Sequence, residues 1–294
     1  MTMRRTISTV AKFDVSLRDG IQSAKHPELY TTETKQRILK TIIERHAPEA
    51  IEVGSFVSPR VLPIMADTEA VLEYGLKYAQ KIGVPQNYYV LIPNTEQMVR
   101  AMKSPVINTH FKKYESTVNF SFVTSVSESF QRKNVRKSLE DTKYELNVLT
   151  NWMTHMWPTT MTKLYVSCIN ECPIEGKIDN FKVVKEIAEY NSLCEFDEIC
   201  LSDTMGSLMP YDLSQILSAL SRIPHLNGGK MSLHLHGFPG ETRVRDLLKV
   251  AYAHNVRQLD VSAIDEGGCS VTMGKANTKP NLTYGDIEQT LLLL

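Results

Sequence analysis

The stretch "KLYVSCINECPIEGKIDNFKVVKEIAEYNSLCEFDEICLSD", residues 163–203, reads as a strand, a helix and a second strand. Its outer runs, 163–169 and 198–203, are short and β-rich, and the run between them, 180–191, has a helical pattern. Strand, helix, strand in that order implies parallel strands joined by a crossover. Working outward, the same unit recurs. Upstream, strands over 8–16, 50–56, 88–93 and 117–125 precede helices over 32–46, 68–82, 94–103 and about 136–156. Within 32–46, Ile38, Leu39, Ile42 and Ile43 fall at helical spacing, and Asn94 is placed to cap the third helix. Downstream, a helix near 212–222 is followed by strands over 231–237 and 258–264, which precede helices over 241–255 and 284–294.

Eight strands, each followed by a helix, is the count of a (β/α)8 TIM barrel, a parallel eight-stranded barrel with outer helices. An open, doubly wound sheet is the competing arrangement. No G-x-G-x-x-G follows the first strand, which weakens it. Without a linker, a low-complexity tract or a helical repeat, residues 1–294 are expected to form a single catalytic domain.

Composition narrows the partners. At 42% hydrophobic and 22% charged residues, the chain has an ordinary soluble profile. Its 33 basic and 33 acidic residues cancel, so no global field draws nucleic acid or a membrane surface. An anionic ligand must be held by local charge. Five cysteines, an odd and low number, argue for a reducing compartment. The C-x3-C pair Cys168 and Cys172 has no second pair at zinc spacing. No apolar run reaches the roughly 18–20 residues of a membrane span. The start "MTMRRTISTV" lacks the apolar core of a leader, so a cytoplasmic location is expected.

Active sites of such barrels lie at the C-terminal ends of the strands. Those ends carry Arg18, Asp19 and Gly20, then Glu52, then Cys168 and Asn170, then Asp203 and Thr204, then His234 and His236, and finally Asp265 and Cys269. His234 and His236 share a strand face, because side chains alternate with period two. Two strand histidines alone are commonly structural. With Asp19 across the barrel mouth they become two nitrogens and a carboxylate, a set suited to zinc, manganese, magnesium or iron(II). Arg18 is placed to face a developing oxyanion. Glu52, among apolar neighbours, needs a partner, and Arg18 is the candidate, which gives Glu52 an orienting role. Cys269 sits in the polar, Gly-rich run "DEGGCSVTMG", suited to a lid thiol that delivers a proton. Asp203 and Thr204 either bond within the mouth or cap the next segment. Ser55, Ser58 and Arg60, in "GSFVSPR", are placed to meet an anionic ligand.

The runs "DVSLRDGIQSAKH", "IEVGSFVSPRVLPIMAD", "VSCINECPIEGKI", "ICLSDTMGSLMP", "LHLHG" and "DEGGC" resemble the successive signatures of the 3-hydroxy-3-methylglutaryl-CoA lyase family, over about residues 9–290. The resemblance implies a TIM barrel with a divalent cation at its mouth, usually magnesium or manganese, held by Asp19, His234 and His236. It implies an asparagine as a further ligand, with Asn281 the better match and Asn277 the alternative. The implied reaction is retro-Claisen-type cleavage of a 3-hydroxyacyl-CoA to acetyl-CoA and acetoacetate or a related 3-oxo acid. His234 or Asp19 is then the base, Arg18 steadies the oxyanion, and Cys269 protonates the enolate. Arg60 and Ser58 are placed toward CoA, and the implied partners are an acyl-CoA and a second copy of the chain. Two departures stand out. Gly237 follows the second histidine where the family has Asp or Asn, and Glu266 replaces an apolar residue. They keep open a Claisen-type acyltransferase that condenses acetyl-CoA with a 2-oxo acid, and a catalytically decayed barrel.

Overall fold

A computed structural model describes residues 10–108, 116–264 and 279–292. Its strands are β1 (Ala11–Asp14), β2 (Ala50–Ser55), β3 (Asn87–Leu91), β4 (Thr117–Ser125), β5 (Thr162–Ser167), β6 (Glu171–Cys172), β7 (Gly176–Lys177), β8 (Glu198–Ser202), β9 (Met231–His234) and β10 (Gln258–Val261). Eight of them close in the order β1-β10-β9-β8-β5-β4-β3-β2, with every neighbouring pair parallel. The open-sheet alternative is thereby excluded. β6 and β7 form a small antiparallel hairpin after β5.

The helices follow the strands as α1 (Thr32–Arg45), α2 (Thr68–Ile82), α3 (Thr95–Met102), α4 (Glu128–Asn134), α5 (Leu139–Met156), α6 (Asn180–Leu193), α7 (Pro210–Leu220), α8 (Thr242–Ala253) and α9 (Tyr284–Leu291). In α1 the buried stripe includes Leu39, Ile42 and Ile43, and the Thr31 hydroxyl caps the first turn by accepting from the Thr34 amide. The helix expected over about 136–156 forms as α5, and the shorter α4, upstream of it, was not expected. Ser138 starts α5, its hydroxyl accepting from the Asp141 amide, a cap of about 1 kcal/mol. Ser127 starts α4 in the same way.

Two strands are shorter than their apolar patterns. β1 stops at Asp14, and Ser16–Gly20 coils into one wide π-helical turn that carries Arg18 and Asp19 into the barrel mouth. β9 stops at His234. His236 lies just beyond it, in an isolated antiparallel bridge with Asn281.

The apolar core fills the layer between strands and helices. The barrel's inside is different. Lys163 on β5 reaches across to the Phe13 ring on β1, and Tyr165 on β5 reaches Glu52 on β2. A polar interior of this kind has to satisfy every group it buries.

Candidate metal centre

Asp19, His234 and His236 are all buried, and one ligand atom from each lies within 4.8 Å of the other two. The two Nε2 atoms are 3.0 Å apart, and His234 Nε2 is 3.7 Å from Asp19 Oδ2. Two nitrogens held about 2.1 Å from one ion at a right angle sit about 3 Å apart. The donor set therefore fits a divalent cation with open positions. Asn281 joins it, donating from Nδ2 to Asp19 Oδ2 at 2.9 Å. Asn277, the alternative, lies outside the described residues.

The electrostatics suit a ligand set. Burial raises the Asp19 carboxyl, but Arg18, the two histidines and Asn281 outweigh it and hold the group well below the usual carboxylate range. Burial, then the neighbouring His234, push His236 down to about 4, which leaves its ring neutral at pH 7. His234 faces Asp260, with Nδ1 3.0 Å from Oδ2. Burial works against the Asp260 charge, yet Lys163 and His234 bring its pKa below the ordinary value. An ionised carboxylate only accepts, so the proton of this hydrogen bond is on Nδ1.

Arg18 sits beside this cluster with 7% of its surface exposed. It donates from Nε to Glu52 at 2.5 Å and from Nη1 to Asp19 at 2.7 Å, and lies over the Tyr165 ring. Burial opposes its charge, but Glu52 and Asp19 keep it fully cationic. Glu52 is fully buried and also accepts from Ser121 and Tyr165. Its geometry is that of an orienting group for Arg18.

A family model described as HMGL-like matches residues 9–242. The chain belongs to the HMGL-like family. It is 30% identical over 275 residues to the mitochondrial hydroxymethylglutaryl-CoA lyase of Rattus norvegicus, covering 93% of this chain and 75% of that one. It is 30% identical over 264 residues to the cytoplasmic 3-hydroxy-3-methylglutaryl-CoA lyase of Homo sapiens, covering 89% and 64%. Among solved structures, the HMG-CoA lyase of Acinetobacter baumannii in complex with coenzyme A and 3-methylmalate shares the fold. Its TM-score is 0.76 at 23% identity, and the match covers 97% of this chain and 84% of that one. The chain is an enzyme of the lyase class, similar to these relatives.

Other expected residues fall differently on this HMGL-like barrel. Cys269, Asp265 and Glu266 lie outside the described residues. Arg60 is exposed in the turn after β2, and Ser58 is half-buried, its carbonyl accepting from Val61 and Leu62. Among the described residues neither bonds to the Asp19 cluster. Asp203 caps the next segment, accepting from the Ser207 and Leu208 amides, while Thr204 accepts from the Cys168 amide. Asn170 ties two rim loops, donating to Ser207 and accepting from Lys177.

Three residues were missed from sequence. Asp260 interrupts the apolar run "QLDVSAI", the same kind of signal that singled out Glu52. Lys163 opens a strand and gave no sign of pointing inward. Arg243, on α8, donates from Nη2 to the His236 carbonyl at 2.7 Å and from Nη1 to Asp203 at 3.2 Å. The start of the same helix also explains Gly237. A Cβ there would lie 2.3 Å from Val244 Cγ2 and 3.1 Å from Arg243 Nη2. The close approach of α8 takes the space a side chain needs.

Proposed function

We propose that this chain is a divalent-metal-dependent carbon–carbon lyase that cleaves a 3-hydroxyacyl-CoA, with 3-hydroxy-3-methylglutaryl-CoA the first candidate. The observation that carries the reading is the meeting of Asp19, His234 and His236 at the strand ends, beside the buried Arg18–Glu52 pair. Asp19, His234, His236 and the Asn281 amide would hold the cation, magnesium or manganese. Bound there, the cation supplies Lewis-acid polarisation of the substrate's hydroxyl and carbonyl oxygens. The hydroxyl proton passes to the Asp19–His234 pair. The carbon–carbon bond then breaks, its electrons moving into the thioester to form the acetyl-CoA enolate, and acetoacetate leaves. Arg18, fixed by Glu52, steadies the oxyanion. Cys269 protonates the enolate carbon.

Arg60 and Ser58 are assigned to the CoA end of the substrate, and residues 1–294 to one catalytic unit working as a homodimer. No helix of the described residues is long and apolar enough to cross a membrane, and Cys168, Cys172, Cys194 and Cys200 are free thiols. A cytoplasmic location is part of this proposal. The test is to incubate the protein with 3-hydroxy-3-methylglutaryl-CoA and magnesium or manganese and follow acetoacetate. Folded protein that binds manganese yet forms no acetoacetate with either metal sinks this substrate. If it instead releases CoA thiol from acetyl-CoA in the presence of a 2-oxo acid, it is a condensing acyltransferase.

A further inference from the structure

Lys163 is the least expected charge in the barrel. It is fully buried, 2.6 Å from Asp260 Oδ1 and 2.8 Å from Glu198 Oε1. Its ammonium lies 3.5 Å from the centre of the Phe13 ring and 4.9 Å from that of Tyr165. An apolar side chain of similar volume would fill this space without the desolvation cost of buried ions, which often exceeds what their pairing returns. Packing alone therefore does not account for a lysine here.

Its consequence is visible one residue further on. Asp260 has two oxygens. Lys163 holds Oδ1, and Oδ2 is left on His234 Nδ1, with the Cys200 thiol at 3.9 Å as its other neighbour. With the carboxylate pinned at one end, its other end cannot turn away from the imidazole. The opposite tautomer would set an Nδ1 lone pair against a carboxylate and aim an Nε2 proton into the space between His236 and Asp19.

We propose that Lys163 is a positioning residue for the metal centre: it anchors Asp260 so that Asp260 holds His234 as the Nδ1–H tautomer, with the Nε2 lone pair facing His236 and Asp19. Glu198, at the first position of β8, closes the chain at the barrel floor. The purpose of this arrangement rests on the metal-lyase reading; the tautomer itself does not.

The experiment is long-range 1H–15N correlation of the histidine rings in metal-free full-length protein, with manganese titration calorimetry on the same samples. Wild type is compared with Lys163→Gln and with Lys163→Gln/Glu198→Gln, which removes the charge stranded on Glu198. Wild-type His234 should show a protonated Nδ1 and an unprotonated Nε2. Folded variants should show a mixture of tautomers and bind manganese about 10- to 100-fold more weakly. A wild-type His234 protonated at Nε2 overturns the proposal, whether or not the variants fold. So does a folded variant with unchanged ring signals and manganese affinity. Wild-type protein that has the Nδ1–H tautomer but binds no manganese overturns the metal-lyase reading instead, and leaves the role of Lys163 standing on the ring signals.

Discussion

Arg243 Nη2 donates to the backbone carbonyl of His236 across 2.7 Å, while Nη1 of the same guanidinium reaches Asp203 and the carbonyl of Leu208. One side chain thus joins the loops after β8 and β9, and holds the peptide that carries a metal-ligand candidate. Lysine has the charge but not the fork. Arg243→Lys should weaken manganese binding about tenfold, at a cost of about 1–3 kcal/mol in stability. Calorimetric titration and melting check both, and an unchanged affinity would remove Arg243 from the centre.

Gly237 gives a prediction against intuition. Restoring the amide that relatives are expected to carry, Gly237→Asn, should not strengthen the site. The new Cβ meets Val244 Cγ2 at 2.3 Å, so α8 has to move. A destabilisation of about 1–3 kcal/mol follows, together with weaker manganese binding. Adding Val244→Ala should recover part of the lost stability. A single variant that melts with wild type counts against the packing argument.

Cys269→Ala tests the proton donor. If the thiol delivers a proton after cleavage, kcat should fall by about 10²- to 10⁴-fold with KM little changed. Steady-state kinetics with the acyl-CoA decide it. An unaltered kcat assigns the proton to another group.

Asp14 gives a pH dependence away from the mouth. Burial raises its carboxyl to about 6, only partly offset by bonds from Tyr284 Oη and the Ser16 amide. The folded state therefore holds a proton that the unfolded chain, at about 4, has released. Stability from this group is present below pH 4 and is lost as pH rises toward 6, an effect of about 2–3 kcal/mol. Asp14→Asn keeps an acceptor for Ser16 and never ionises. The variant should gain stability over wild type at pH 7 and match it near pH 4. Chemical denaturation at the two pH values measures this, and a constant difference contradicts it.

The barrel was legible because its signal is repeated. Each strand–helix unit carries an apolar period that packing rewards, and one unexpected short helix, α4, did not disturb the count. Arg18, Asp19, Glu52, His234 and His236 were legible because polar groups at strand ends are costly without a use, whereas Asn281 came only from the family resemblance. Lys163 was not. A lysine at the start of a strand is usually solvated, and only barrel closure turns this one inward. Arg243 was hidden for another reason. It lies on a helix, and its contact is with a backbone carbonyl, which no residue pattern records. Arg60 and Ser58 rested on their loop sequence and the family resemblance, and among the described residues their loop shows no bond to the cluster.

The Asn281–Asp19 hydrogen bond joins residues 262 positions apart. A chain emerging from the ribosome makes Asp19 long before Asn281. Until β9 is made the two histidines do not exist, and the aspartate waits in a half-built sheet. On the proposed ligand set, cation capture waits until β10 has docked against β1. An ion bound there at full affinity would report a closed barrel, and a fragment interrupted before β9 lacks His234 and His236.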